Sequence, residues 1–372
     1  MFRNYKLKRL DIKLIFAVIA LTVLGILIIG SANEANQERQ ILGMVVGVLV
    51  MAVVALIDYD FILSFSYVWY IIVVALLVLV LLVGDDSNGA TRWIEIGIRF
   101  QPSELGKILL VLFFAKFLTN KQEKINKPST LVLCAILAAL PLYLISEEPD
   151  LSTTIVTMMI ICVMIFVAGL SYKIVCVVLG ISIPSFIVLL MMLFEDGQTI
   201  LDEYQGIRIL AWLKPEEYPA SAYQQQNSIM AIGSGQLYGK GLYNDSFDSV
   251  KNGNYISEPH TDFIFAVAGE ELGFVGAVAI IALIFFIAIE ILAIGRKSKD
   301  LAGKLICTGM ATLIGFQSFI NICVVTGLMP NTGIPLPFVS YGLTSLVTIY
   351  LGIGLVLNVS LQSQSNNRRL FL

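Results

Sequence analysis

Apolar runs of about twenty residues, each closed by a short polar connection, recur from Leu14 to Leu361, and this repetition restricts the chain to one solvent. A run of that length spans a bilayer as an α-helix, whereas barrel strands would alternate polar and apolar residues. With 57% hydrophobic and only 14% charged residues over 372 positions, lipid must cover most of the surface. The fold class is therefore all-α, a polytopic integral membrane protein read as a single membrane domain over 1–372. The spans are Leu14 to Ser31, Gln40 to Ile57, Tyr67 to Val83, Ser103 to Leu118, Thr130 to Ile145, Leu151 to Leu170, Ile174 to Phe194, Thr261 to Ile294, Lys304 to Leu328 and Pro337 to Leu361, about ten transmembrane helices. The first run is long enough to span and no convincing cleavage site follows it, so it reads as a helix rather than a signal.

Connection charges orient the bundle. Arg3, Lys6, Lys8, Arg9 and Lys13 precede the first span; Lys116, Lys121, Lys124 and Lys127, then Lys173, then Arg296, Lys297, Lys299 and Lys304, and finally Arg368 and Arg369 fall on the same side. The opposite short connections carry only Arg39, Arg92 and Arg99. Positive charge stays in the cytoplasm, so both termini are expected there. Residues 195–260 then form one large extracytoplasmic loop between spans seven and eight. Within it Ser221 to Ile232 reads as an amphipathic helix suited to the membrane surface. The cysteines all lie in apolar runs and predict no disulfide framework; a single histidine, His260, excludes a histidine-rich metal site.

The unusual polar residues gather on the outer side. Asp262 follows the long loop and opens an apolar run from Thr261 to Ile294, about 50 Å of helix against a hydrocarbon core of about 30 Å, so the helix protrudes, tilts or breaks near Gly269 to Gly273. Asp262 is read either as a helix-terminal carboxylate satisfied by backbone donors or as a chemical group. Glu104 and Lys107 form a local pair at i,i+3, or Lys107 faces a water-filled cavity and binds phosphate. Asp150 suits an N-cap, and with Glu104 it also suits the oxygen ligation of Mg²⁺ or Mn²⁺. The run Gly233 to Gly241 fails the Walker pattern, since Ser234 and Gly241 replace required residues, but its glycines let an anion approach beside Lys240. Arg92 and Arg208 add outer cations.

Several stretches carry a resemblance: NGATRW at Asn88 to Trp93, QPSELGKI at Gln101 to Ile108, EPDL at Glu148 to Leu151, QNSIMAIGSG at Gln226 to Gly235 with GKG at Gly239 to Gly241, EPHTDFIFAVAGEELGFVG at Glu258 to Gly276, and TGIPLPFVSYG at Thr332 to Gly342. Together they resemble the shape, elongation, division and sporulation (SEDS) family, which includes RodA, FtsW and SpoVE. Ser152, Asn331 and Leu343 depart from its usual pattern. The resemblance implies a peptidoglycan glycosyltransferase of cell shape, division or sporulation. Such an enzyme polymerises Lipid II, releases undecaprenyl diphosphate and works with a class B penicillin-binding protein. It maps the essential aspartate onto Asp262 and further functional residues onto Glu104, Lys107 and Asp150. Arg92, Lys240 and Arg208 are available to bind the diphosphate, with a divalent cation, Mg²⁺ or Mn²⁺, as an added source of positive charge. A Lipid II flippase and a non-catalytic scaffold are the competing readings. Small residues in span nine, Gly309 and Gly315, suggest where a partner helix docks.

Loop charge generates a direct test. Reporter tags at Lys124 and Ser298 should be cytoplasmic and one at Asn244 external; a cytoplasmic Asn244 tag would invert the assignment.

Overall fold

The computed structural model describes residues 9–363 apart from 88–89, 96–98, 179, 182–183, 185–202, 245–248, 250–252 and 254. Twelve helices organise these residues: α1 (Ile12–Ala32), α2 (Glu34–Leu56), α3 (Tyr59–Ser64), α4 (Ser66–Val83), α5 (Pro102–Asn120), α6 (Pro128–Glu147), α7 (Leu151–Val167), α8 (Glu203–Leu213), α9 (Pro219–Ser234), α10 (Ile264–Arg296), α11 (Leu301–Val325) and α12 (Leu343–Leu361). Seven of them, α1, α2, α4, α6, α10, α11 and α12, are long and apolar enough to cross a bilayer. Helix α7 is apolar but shorter, and α5 carries Glu104, Lys107 and Lys116 within its length. The expected seventh span, Ile174 to Phe194, lies largely outside the described residues; its start is helical at 172–178.

Helices α11 and α12 form the centre. Both are buried around most of their circumference, with α11 against α5, α7 and α10 and α12 along α2. A helix apolar on most sides is covered either by lipid or by other elements, and here neighbouring helices cover it. Gly309 belongs to this interior: a β-carbon there would lie 2.7 Å from Val111 and 3.1 Å from Met164. The expected lipid-facing seam at Gly309 is therefore corrected, because the missing side chain serves α5–α7–α11 packing. Gly315 does face open space.

Two features depart from expectation at the ends of the bundle: a small sheet, and a helix that docks on the bundle where Ser221 to Ile232 was expected on the membrane surface. The connection after α4 forms a small antiparallel sheet, β1 (Asp85–Ser87), β2 (Ala90–Glu95) and β3 (Arg99–Phe100), in the order β1-β2-β3. Helix α9 docks on the bundle through Ala222, Gln225, Asn227, Ser228 and Ala231, leaving Tyr223, Ile229 and Met230 exposed. Its side chains finish the end of α11: Gln225 donates to the carbonyls of Val324 and Met329, Ser228 donates to Val325 O, and Trp212 of α8 donates to Gly327 O. The last turn of any helix leaves carbonyls without intrahelical partners, and here polar side chains supply them.

The long helix does break, at Gly273, whose φ of 65° and ψ of −165° are accessible essentially to glycine alone. Loop 236–241 takes up the released groups: Phe274 and Val275 N–H donate to Gln236 and Leu237 O, while Lys240 and Gly241 N–H donate to Glu270 and Glu271 O. A β-carbon at Gly273 would fall 2.3 Å from Gly239 N. Gly273→Ala should therefore cost at least the ~1–3 kcal/mol of a strained backbone and displace the loop. Detergent melting checks this; a native melting point would contradict the dependence of the kink on glycine.

Candidate active site

Asp262 sits in the turn that precedes α10 and is held through its backbone. Three successive carbonyls accept hydrogen bonds: His260 O from Tyr341 N at 2.9 Å, Thr261 O from Ser340 Oγ at 2.8 Å, and Asp262 O from Asn321 Nδ2 at 2.7 Å. The loop supplying two of these donors is itself clamped, because Gln40 of α2 donates to Ser340 O and accepts from Gly342 N. The N-cap of α10 is Phe263, without a capping side chain, so the Asp262 carboxylate is not spent on the helix end. Among the described residues no donor hydrogen-bonds it. The helix-cap reading of Asp262 is thereby set aside.

What the carboxylate meets is charge. Gly333, with φ at 72°, lies opposite: a β-carbon built there would be 3.2 Å from Asp262 Oδ2, 3.6 Å from Arg208 Nη1 and 3.9 Å from Arg92 Nη1. One carboxylate and two guanidinium groups thus converge within 4 Å of one point, where the absence of a side chain keeps the space open. Arg92 is brought in on β2 and fixed by its Nε donating to Glu148 O, by Pro149 O and by Asp150, whose Oδ2 is 3.9 Å from Nη1. Arg208 reaches from α8 and donates to Asn331 O. A small cavity of about 20 Å³ between Pro149, Arg92, Arg208 and Thr332 adjoins them. The Asp262 surface is partly accessible, yet the protein packed behind it is deep enough for burial to dominate its titration. Burial pushes its pKa up to about 6; Arg208 and Arg92 oppose that rise, and Asp150 and Glu258 add to it.

The other sequence candidates have definite places. Asp150 caps α7 by accepting from Thr153 N and also accepts from Gln101 Nε2. Its N-cap reading holds, and its contact with Arg92 joins it to the cluster. Lys107 is 1% exposed and spans Glu104 Oε1 at 2.5 Å and Gln317 Oε1 at 2.8 Å, with Ser345 donating to Glu104 Oε2. The local ion pair is thus formed, and the water-facing, phosphate-binding reading of Lys107 is corrected: a buried ammonium without such partners would be costly. Lys240 likewise pairs with Glu270 at 2.7 Å, beside a groove of about 320 Å³ lined with Asn227 and Tyr255. The N–H groups of the glycine loop bond helix carbonyls instead of remaining open to an anion. Glu104 and Asp150 do not fit a joint metal site, since each is already matched to a cation, and no cluster of three metal-ligating side chains occurs among the described residues.

Comparisons with known proteins follow this geometry. Residues 8–365 match the family described as cell cycle protein, FtsW/RodA/SpoVE. The chain belongs to that family. It is 32% identical over 371 residues to a probable peptidoglycan glycosyltransferase FtsW of Geobacter sulfurreducens, covering 95% of this chain and 96% of that one. It is 33% identical over 355 residues to the peptidoglycan glycosyltransferase MrdB of Escherichia coli K12, covering 94% and 93%. Among solved structures, a chain of a peptidoglycan synthase complex that coordinates polymerization and crosslinking aligns with a TM-score of 0.79 at 30% identity, covering 94% and 97%. The rod shape determining protein RodA of Thermus thermophilus aligns at 0.70 and 28%, covering 98% and 99%. This FtsW/RodA/SpoVE protein is thus a multi-pass membrane protein of the same architecture.

Sequence reasoning missed the amides and hydroxyls that build the site, Gln40, Gln317, Asn321 and Ser340. Their signal was single polar residues inside otherwise apolar runs. Glu148 entered only within the stretch EPDL. Its side chain is fully buried, and no protein donor reaches either oxygen among the described residues. Burial, with Asp150 adding, pushes its pKa up to about 9 against the pull of Arg92, so it is neutral at pH 7. A carboxyl whose folded pKa exceeds its ordinary 4.5 contributes most to stability below that value and loses the contribution as pH rises toward 9. Glu148→Gln should therefore melt higher than the native protein, by a margin that widens from about pH 5 to pH 9. A margin independent of pH would show that Glu148 is ionised in the fold.

Proposed function

We propose that this chain is a peptidoglycan glycosyltransferase that polymerises Lipid II, with the Asp262 end of the bundle facing outward and both termini in the cytoplasm. The observation that carries this reading is the convergence of Asp262 with Arg92 and Arg208 at Gly333. Sugar transfer requires one group to take the proton of the acceptor hydroxyl as its oxygen attacks the anomeric carbon of the donor. It requires others to stabilise the diphosphate as its bond to that carbon breaks. Asp262 is the base: its pKa near 6 leaves it ionised at neutral pH but more basic than an ordinary aspartate. The two guanidinium groups face the departing undecaprenyl diphosphate; their planar donors suit phosphate oxygens. They are the positive charge this chain itself supplies there, and the proposed mechanism takes no step through Mg²⁺ or Mn²⁺. Asp150 and Glu148 O hold Arg92 in place. Glu104 and Lys107 act from below, as a buried pair under the 334–335 backbone.

A class B penicillin-binding protein is the proposed partner that cross-links the product, in cell elongation, division or sporulation. The open surface at Gly315 is compatible with close approach of its helix. The names of the relatives and the gathering of Asp262, Arg92, Arg208 and Asp150 at one end support an enzyme over a flippase, which would need a path to both sides.

Asp262→Asn keeps the volume but cannot take a proton, so Lipid II polymerisation should fall by roughly 10² or more. Its melting point should stay the same or rise, because the fold disfavours the charge that the substitution removes. In the native protein kcat/KM should fall as pH drops through about 6, where Asp262 becomes protonated. Glycan products measured by gel, with melting on the same preparation, decide the matter: normal polymer from Asp262→Asn would sink the assignment.

A further inference from the structure

Asn321 stands out because it lies in the centre of the bundle and does two things with one atom. It is 1% exposed on α11, and its Nδ2 donates to Asp262 O and to Ile334 O, both at 2.7 Å. Those carbonyls belong to two different segments. One carries the Asp262 carboxylate; the other carries Gly333, the point on which Asp262, Arg92 and Arg208 converge. A primary amide nitrogen has two diverging hydrogens, so it can tie two acceptors at a fixed separation, which no backbone N–H can do. Asn321 Oδ1 receives no protein donor among the described residues, so the side chain contributes through its donors. One turn earlier on α11, Gln317 accepts from Lys107 and donates to Pro335 O. The two amides therefore grip consecutive residues of the loop that faces the site.

Resting on the reading of Asp262 as the base, we propose that Asn321 is the positioning residue that sets the distance between the Asp262 carboxylate and the guanidinium pair at Gly333. It touches no substrate. Its work is to hold two backbone segments in register across the cleft, where a displacement of about 1 Å costs as much as 10² in rate. Without the clamp, Asp262 and the 333–334 loop separate. The pull of Arg92 and Arg208 on the carboxylate weakens while burial stays.

The test uses the purified full-length protein with its penicillin-binding partner and Lipid II, comparing Asn321→Leu, Asn321→Gln and Asp262→Asn. Leucine keeps the branching of asparagine at Cγ and its number of heavy atoms, and removes both donors. It should lower kcat about 10- to 100-fold with KM changed less than about threefold. The acid limb of kcat/KM should move upward from about pH 6, because the arginines that oppose burial are now further away. Asn321→Gln keeps the donors on a longer stem and should restore part of kcat and bring the limb back toward its native position. A merely structural role would lower the melting point and leave the limb in place, so a limb at or below the native position in Asn321→Leu overturns the proposal. If Asn321→Leu does not fold, Asn321→Ala, which removes the donors without adding bulk, decides by the same readout: a limb moved upward supports the clamp, and a limb at or below the native position overturns it. Polymer from Asp262→Asn would overturn the reading of the base and this inference with it. An inactive Asp262→Asn beside native behaviour of the Asn321 variants would overturn this inference alone.

Discussion

Lipid offers no hydrogen bonds, so a membrane helix can break only where protein takes over the freed backbone groups. The break at Gly273 meets that condition through loop 236–241, which pairs with the carbonyls before the break and the amides after it. The loop is placed by α9, and α9 is anchored by Gln225 and Ser228 to the end of α11. The first turns of α10, and the Asp262 turn that precedes them, are therefore fixed by elements far apart in sequence. The large loop is a part of the framework that holds the site, and its long insertion between apolar runs is explained by that task.

The site itself is built against the preference of its own groups. Burial raises the pKa values of Asp262 and Glu148, and two guanidinium groups converge with Asp262 beside Gly333. Arrangements of this kind are less stable than an apolar alternative and persist where chemistry uses them. The buried Glu104–Lys107 pair contrasts with them. Gln317 and Ser345 complete its hydrogen bonds, and it sits within α5, under the loop, where it stiffens what carries Gly333. Removing one partner of such a pair would strand a charge, so sensitivity of these positions to mutation says nothing by itself about contact with substrate.

Much of this was legible in the sequence, for reasons that differ by residue. The helical class followed from run length alone, and the break of the long helix from its excess over the bilayer together with the glycines at its start. Asp262, Asp150, Arg92 and Arg208 stood out because charge near a membrane end needs a reason, and all four meet in one cluster. Lys240 and Lys107 stood out equally and are consumed by ion pairs, since sequence shows that a charge exists but not what neutralises it across the bundle. Gly309 was misplaced for a related cause: a small residue marks close approach and cannot say whether the neighbour is in the same chain. The strands at 85–100 were too short to register against the helices around them. The amide of Asn321 was invisible because its role exists only once residues 262 and 334 are adjacent.

The position of the cluster bears on what kind of protein this is. A flippase moves its cargo between two membrane faces, so its polar groups must line a route, with alternate access from each end. Here Glu104, Lys107 and Gln317 bond one another, and Gln317 and Asn321 donate to the backbone carbonyls of residues 262, 334 and 335, so these donors are spent on holding the site. At the far end Lys299 pairs with Asp60 and Gln362, and Tyr59 donates to Asp300, closing the bundle with side chains that draw α3, α11 and α12 together. A central helix gripped on all sides is suited to holding a geometry still. Glycosyl transfer rewards that rigidity, because the base and the charges facing the leaving group act only if they are in place before the bond begins to break.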